Sequence, residues 1–357
     1  MRAARLYGVG DIRVGDEPVP EPGPGETLVQ VTAVGLCGSD LHWFSEGAIG
    51  DAQLSQPLVL GHEAAGVIAA GPRRGQRVAI DPAIPDNTCR ACRDGYRNLC
   101  PHVRFSGHGS TDGSLRQFMT WPGELLHPLP DELSDRDGAV LEPLGVAIHS
   151  IDLGHLPFAG RAAVVGCGPI GLLTIQLLRR SGAESILAFD PLPHRREAAA
   201  KLGADQVVDP GELGPEFEAL PELVGYGVDV AFEIAGGDAG VGLAMHATRP
   251  GGRVTLGGIP DDDHIGFGAS LARRKGLTIA MVRRMNEVYE RAISLVARGQ
   301  IDTASLVTDR FGLDATADAF ATATKRAGLK VVVEPSIEGT AEGTGESAVE
   351  ANGGTTR

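Results

Sequence analysis

Three groups of residues in this chain have the types and the spacing to do chemistry. Cys37 lies in Cys37-Gly38-Ser39-Asp40, and His62 and Glu63 lie in Gly61-His62-Glu63. A thiolate, an imidazole and a carboxylate suit Zn²⁺, and three protein ligands leave a fourth position for water or a substrate oxygen. A second group, Cys89-x2-Cys92-x7-Cys100, offers three thiolates close together, as a closed structural zinc requires. Its fourth ligand cannot be a nearby cysteine. Asp86, three residues before Cys89, continues the spacing and offers an oxygen. The third group is Gly166-Cys167-Gly168-Pro169-Ile170-Gly171 directly after the apolar run Ala162 to Val165. This is the G-x-G-x-x-G turn that seats a pyrophosphate on the free N–H groups of a helix N-terminus.

Each group has a plainer reading. A free cysteine is usually a small apolar core residue, and a His beside a Glu is more often a structural pair. The cysteine cluster could have lost its metal and kept its side chains as packing. Glycine triplets arise by chance in a chain with 50 glycines. Context favours the functional reading of the last one, because Asp190 closes the next apolar run 19 residues after Gly171. An acid there accepts from a ribose 2′-hydroxyl and repels a 2′-phosphate, so NAD is expected over NADP. Arg195 and Arg196 follow closely and soften that preference.

The elements that must position these groups fall into two patterns. The first half reads as short β-rich pieces between Gly/Pro turns: Thr27 to Val34, Gly61 to Ala70 and Arg77 to Ile80. A helical segment from Gly145 to Gly154 follows. Apolar strands then alternate with helical lengths: 162–165, 185–189, 207–208, 229–234, 253–256 and 277–282, with helices at 170–180 and 286–298. A closing strand is expected at 329–333. Strands alternating with helices indicate a doubly wound parallel sheet. Residues 336–357 are small, acidic and glycine-rich, the composition of a disordered tail.

At 357 residues the chain is long enough for two domains. A net charge of −14 disfavours nucleic acid and anionic membrane as partners. No apolar run approaches the ~20 residues of a membrane helix, and no apolar signal region follows the basic N-terminus. A cytoplasmic location is expected. An odd count of 5 cysteines, three of them crowded together, is a poor disulfide framework and a better metal site.

Taken together, Cys37-Gly38-Ser39-Asp40-Leu41-His42, Gly61-His62-Glu63, Gly95-Tyr96-Arg97-Asn98-Leu99-Cys100 and Leu141-Glu142-Pro143-Leu144 resemble the zinc-containing medium-chain alcohol dehydrogenases. With Val146-Ala147-Ile148-His149 they look like the polyol branch, the sorbitol, xylitol and L-idonate dehydrogenases. The resemblance runs from about Gly25 to Glu334. It implies an α/β Rossmann doubly wound parallel sheet inserted in a β-rich GroES-like catalytic domain. The implied boundaries are 1–147 catalytic, 148–283 NAD-binding and 284–335 returning to the catalytic domain. It also implies catalytic zinc on Cys37, His62 and Glu63, and Glu142 as water-binding residue or alternating ligand. Ser39 and His42 would pass the substrate proton to solvent, and a homodimer or homotetramer is expected. Asp86 stands where most members carry a cysteine, which leaves the structural zinc site (Asp86, Cys89, Cys92, Cys100) open.

Zinc lowers the pKa of a bound hydroxyl, which prepares a secondary alcohol to give up a hydride. The expected reaction is therefore oxidation of a secondary hydroxyl on a small polyhydroxy compound. Trp43, Phe44 and Phe105 are expected at the cleft lip, and Arg283, with Arg284 beside it, faces the substrate. Two arginines there hint at an anionic substrate such as a sugar acid, but one cleft arginine and one solvated arginine is the plainer and preferred reading. Alternatives are a biosynthetic dehydrogenase of a cyclitol or amino sugar, and a zinc-free quinone or enoyl reductase on the same scaffold. The latter has no use for Cys37, His62, Glu63 and Glu142.

Overall fold

A computed structural model describes residues 1–260 and 263–335; the expected disordered tail, 336–357, lies outside the described residues. Two sheets dominate. In the second half, strands Arg161–Val165, Ser185–Phe189, Gln206–Val208, Val228–Glu233, Thr248–Leu256 and Thr278–Met281 form one sheet. All its pairings are parallel, and the spatial order in chain-order numbering is 3-2-1-4-5-6. That is the Rossmann order, with its switch point beside the first strand. The apolar runs of the four central strands are buried on both faces of this sheet, as parallel sheets require, while the edge strands Gln206–Val208 and Thr278–Met281 stay partly exposed.

In the catalytic part, the central strand Glu26–Gly35 pairs antiparallel with Glu63–Ile68 on one side and with Lys330–Glu334 on the other. Arg77–Ile80, Leu126–Pro128, Phe118–Pro122 and Val307–Gly312 complete a seven-stranded sheet. A three-stranded sheet of Arg2–Gly8, Asp11–Asp16 and Leu58–Val59 lies against it. This matches the expected β-rich, GroES-like half. The closing strand of the chain thus returns beside the strand that leads to Cys37.

The helix expected from Gly145 in fact begins at Asp135 and runs to Gly154. Ser134 caps it: its Oγ accepts from the Asp137 N–H at 3.1 Å, and the Asp137 carboxylate accepts from the Ser134 N–H at 2.9 Å. Pro143 lies inside the helix, at the cost of one backbone hydrogen bond, that to the Ala139 carbonyl. The surrounding packing sustains it, because twelve residues of the helix are buried. At Gly145 a Cβ would overlap Met285 and Val288, so glycine here serves close approach and is no helix stop. The expected boundary at 147/148 falls within this helix. Its first half packs on Ala65 and Leu129 near Gly138, and its end packs on Phe232 near Gly154.

The helix expected at 286–298 spans Tyr289–Ala297. The preceding residues form an irregular turn in which Arg284 and Glu287 take positive φ, 56° and 53°. Among the described residues, no helix is long and apolar enough to cross a membrane.

Candidate active site

Strand register brings the first group together. Gly35 pairs with Glu63. Cys37 follows two residues beyond Gly35 and stands at the N-cap of the helix Gly38–Glu46, while His62 precedes Glu63. One donor atom each from Cys37, His62 and Glu63 lies within 4.8 Å of the others. His62 and Glu63 are buried and Cys37 is half-buried. All five cysteines are free thiols. A soft thiolate, an imidazole and a hard carboxylate at this spacing fit a zinc ion with a position to spare.

Asp40, singled out in the sequence only as part of a motif, orients this set. Its buried carboxylate accepts from the Cys37 N–H at 3.0 Å and the Gly61 N–H at 3.2 Å, and lies 3.4 Å from His62 Nδ1. Burial alone would push this carboxyl up. The charge and hydrogen bond of His62 and the two amides outweigh burial and hold it below the usual carboxylate range. A carboxylate on Nδ1 fixes the ring so that Nε2 faces the other donors, the arrangement that tunes metal-bound histidines. Ser39 Oγ lies 3.4 Å from that Nε2. His42 Nδ1 lies 3.0 Å from Glu46 one turn further along the helix.

Lys330 gave no sequence signal. Its ammonium donates to both Glu63 oxygens, at 2.7 and 2.6 Å, and to the Leu36 carbonyl at 3.0 Å. Glu63 and Lys330 sit on the two strands flanking Gly35, and they meet across it because a Cβ at Gly35 would overlap the Glu63 carboxylate. Glu142 is 5% exposed, within the fields of His62, Glu63 and Lys330. Burial, reinforced by Glu63 and opposed by His62, pushes its carboxyl up to about 7.

Among the expected substrate residues, Phe105 packs its ring 5.2 Å from the His62 ring. Trp43 is 2% exposed in the catalytic core and makes a T-shaped contact with His108, and Phe44 packs on Phe320. The Arg283 side chain is exposed, whereas the Arg284 guanidinium lies 4.1 Å over the Phe105 ring. Arg284 takes positive φ, 56°, within the irregular turn that precedes the helix Tyr289–Ala297.

The second group also assembles. Asp86, Cys89, Cys92 and Cys100 offer donors within 4.8 Å of one another. The Cys89 sulfur is 3.4 Å from that of Cys92 and 3.9 Å from that of Cys100. Thiolates on a tetrahedral zinc stand about 3.8 Å apart, so the set fits the ion. Asp86 is held by the amides of Cys89 and Thr88, at 2.9 and 2.8 Å, which keep its carboxyl far below the usual range. Burial pushes the Cys92 thiol up to about 12, as crowded thiols without a cation require. Three contacts fasten this loop to the Arg284 turn. Asn98 donates to the Arg283 carbonyl at 2.9 Å, Asn286 donates to the Gly95 carbonyl at 2.9 Å, and Arg97 pairs with Glu287 at 2.7 Å.

In the nucleotide half, Gly171 opens the helix Pro169–Arg180 against the Gly166 carbonyl, which a Cβ would overlap. Pro169 occupies the first turn, where its missing N–H costs nothing. Ile170 is half-buried beside it. The buried Asp190 carboxylate accepts from the Cys167 N–H at 2.8 Å and the Leu192 N–H at 2.9 Å. It is thereby fixed at the mouth of the glycine turn. Arg196 is engaged by the Asp190 carbonyl and Asp209. Arg195 reaches toward Gly168, and its buried Nε has no hydrogen-bond partner. Cys167 is fully buried and serves packing.

Comparison with known proteins agrees with both halves. Residues 23–131 match the alcohol dehydrogenase GroES-like domain, and residues 169–298 match the zinc-binding dehydrogenase family. A sorbitol dehydrogenase of Bacillus subtilis is 35% identical over 94% of this chain and 98% of its own length. L-idonate 5-dehydrogenase from Escherichia coli superposes with a TM-score of 0.87 at 27% identity, over 94% of this chain and 98% of that one. A zinc-binding dehydrogenase from Sinorhizobium meliloti, solved with NADP bound, gives a TM-score of 0.85 at 30% identity, over 94% and 99%. With its GroES-like half, its Rossmann sheet and its two donor sets, the chain belongs to the zinc-containing medium-chain alcohol dehydrogenase family and is an enzyme of that kind.

Proposed function

We propose that this enzyme oxidises a secondary hydroxyl of a polyol or sugar-acid substrate with NAD⁺, and that Cys37, His62 and Glu63 hold its catalytic zinc. The observation that carries the reading is the convergence of those three donors beside the buried Glu142, on a chain that also builds the dinucleotide turn. Relatives named sorbitol dehydrogenase and L-idonate 5-dehydrogenase support the substrate class. When bound, zinc supplies Lewis acidity that lowers the pKa of the reacting hydroxyl, and the dinucleotide supplies the hydride acceptor.

The chain's own residues do the rest. Asp40 holds the His62 ring. Ser39, against His62 Nε2, takes the hydroxyl proton, and His42 with Glu46 carries it outward along one helix face. Lys330 bonds both Glu63 oxygens and would balance the charge of that carboxylate beside a zinc held by Cys37, His62 and Glu63. Glu142, near neutrality, orients the water or hydroxyl at the open position. Asp86, Cys89, Cys92 and Cys100 hold a second, structural zinc. Asp190 favours NAD over NADP, with Arg195 as the residue that moderates the preference. A homodimer or homotetramer is the proposed assembly.

The test is NADH formation from purified protein on sorbitol, xylitol, L-idonate, inositol and simple alcohols, with chelator-treated and NADP⁺ arms. Chelator-sensitive, NAD⁺-dependent turnover of one polyol or sugar acid is expected. Turnover indifferent to zinc removal overturns the assignment.

A further inference from the structure

Arg284 is the cation of the site that the reaction above leaves without a task. Its guanidinium carbon lies 4.1 Å over the Phe105 ring, which in turn packs 5.2 Å from the His62 ring, so one aromatic ring stands between it and a candidate zinc ligand. Its Nη1 is buried and has no hydrogen-bond partner. A buried charged donor left unpaired is costly, and native structures retain one where a ligand completes it. The backbone supports the same reading: Arg284 holds φ at 56°, a strained conformation for a bulky side chain, and packs on Phe105 while Arg283 stays exposed.

The surroundings are short of negative charge, although the whole chain carries −14. Burial, the largest effect, lowers the guanidinium pKa to about 10; Arg283 adds to this and Glu142 opposes it. His108 lies within the fields of Arg284, Arg283 and His62, against Asp51 alone among acids. The nearest other acid on the turn, Glu287, is already paired with Arg97.

We propose that Arg284 receives a terminal anion of the substrate, a carboxylate or phosphate at the end of the carbon chain remote from the reacting hydroxyl. A guanidinium held over an aromatic ring with a buried, unpartnered Nη1 has N–H donors to offer such oxygens, and its planar fork suits bidentate pairing. Arg284 is thus a specificity residue that selects acidic polyols over neutral ones. The proposal rests on the hydroxyl chemistry assigned above and narrows its substrate.

The experiment compares kcat/KM of the zinc-loaded full chain for three matched substrates: a neutral polyol, the aldonate of the same carbon chain and the polyol phosphate. The variants are Arg284→Asn, which tolerates positive φ, and Arg284→Lys, which keeps the charge without the fork. Wild type is expected to favour one of the anions by at least about tenfold, and Arg284→Asn to lower the anion-to-neutral ratio about 10- to 100-fold. Arg284→Lys should fall between. The favoured arm tells carboxylate from phosphate. A wild type that prefers the neutral polyol, or a ratio unchanged in Arg284→Asn, overturns the proposal while leaving polyol oxidation standing. Should none of the three turn over, the reading of function fails by itself. Calorimetric titration of the aldonate into protein with NADH then decides: binding lost in Arg284→Asn upholds the anion site, and equal binding overturns it.

Discussion

Replacing Lys330 by Met tests whether Glu63 is shared between a lysine and a metal. The two side chains are 3% and 1% exposed, and the ammonium bonds both carboxylate oxygens and the Leu36 carbonyl. Burial works against the lysine charge, but Glu63 and Cys37 raise its pKa above the usual 10.5. The sign follows: the ammonium is present at every pH below that value, and its contribution is lost only when the solution becomes more alkaline. Met has similar volume, so the cavity contribution is small. The loss is therefore that of a buried carboxylate left without its partner, about 3–5 kcal/mol in chelator. With zinc present the carboxylate has a dication within reach, and the loss should shrink to about 1 kcal/mol. Urea unfolding followed by tryptophan fluorescence measures both. The chain has 2 tryptophans, and Trp43 and Trp121 both lie in the catalytic core, so the signal reports the half that holds the pair. Equal destabilisation with and without zinc would refute the exchange, and a loss below about 1 kcal/mol in chelator would refute the pairing itself.

Three further outcomes are expected. Burial places Glu142 near 7, so its ionisation subtracts stability as pH rises from about 4.5 through 7; in chelator, Glu142→Gln should gain on wild type by up to about 3 kcal/mol between pH 5 and 8, and a gap that does not widen with pH counts against this. Asp40→Asn weakens the hold on the His62 ring and should cost about 10- to 100-fold in zinc affinity at one of two sites, measured by competition with a chromogenic chelator; full affinity at both sites would exclude a positioning role. Metal analysis should find two zinc ions per chain in wild type and in Asp86→Cys but one in Asp86→Ala; an unchanged Asp86→Ala would remove Asp86 from the ligand set.

The nucleotide half was legible because its strands are continuous apolar runs closed by glycine turns, a pattern that only a sheet buried on both faces produces. The Cys89-x2-Cys92-x7-Cys100 set was legible from residue type and spacing, whereas Cys37 with His62 and Glu63 stood out only beside the dinucleotide turn and the family motifs. The helix Asp135–Gly154 was half hidden, since Pro143 and three glycines read as breakers and only tertiary contacts show why they are tolerated. Lys330 lies 267 residues from Glu63, and pairing at that separation has no local signal. Which of Arg283 and Arg284 packs on Phe105 is decided in an irregular turn that leaves no local pattern. The burial of Trp43 was not legible either, because an aromatic near a ligand motif carries no mark of which helix face it occupies.

The loop of Asp86 to Cys100 is stitched to the turn of Arg284 by Asn98, Asn286 and Arg97. For protein engineering the two segments form a single graft. A substrate turn borrowed from a relative would arrive without its anchor unless the cysteine loop came with it. By the same coupling, stripping the outer metal should register as altered discrimination between substrates before it registers as unfolding.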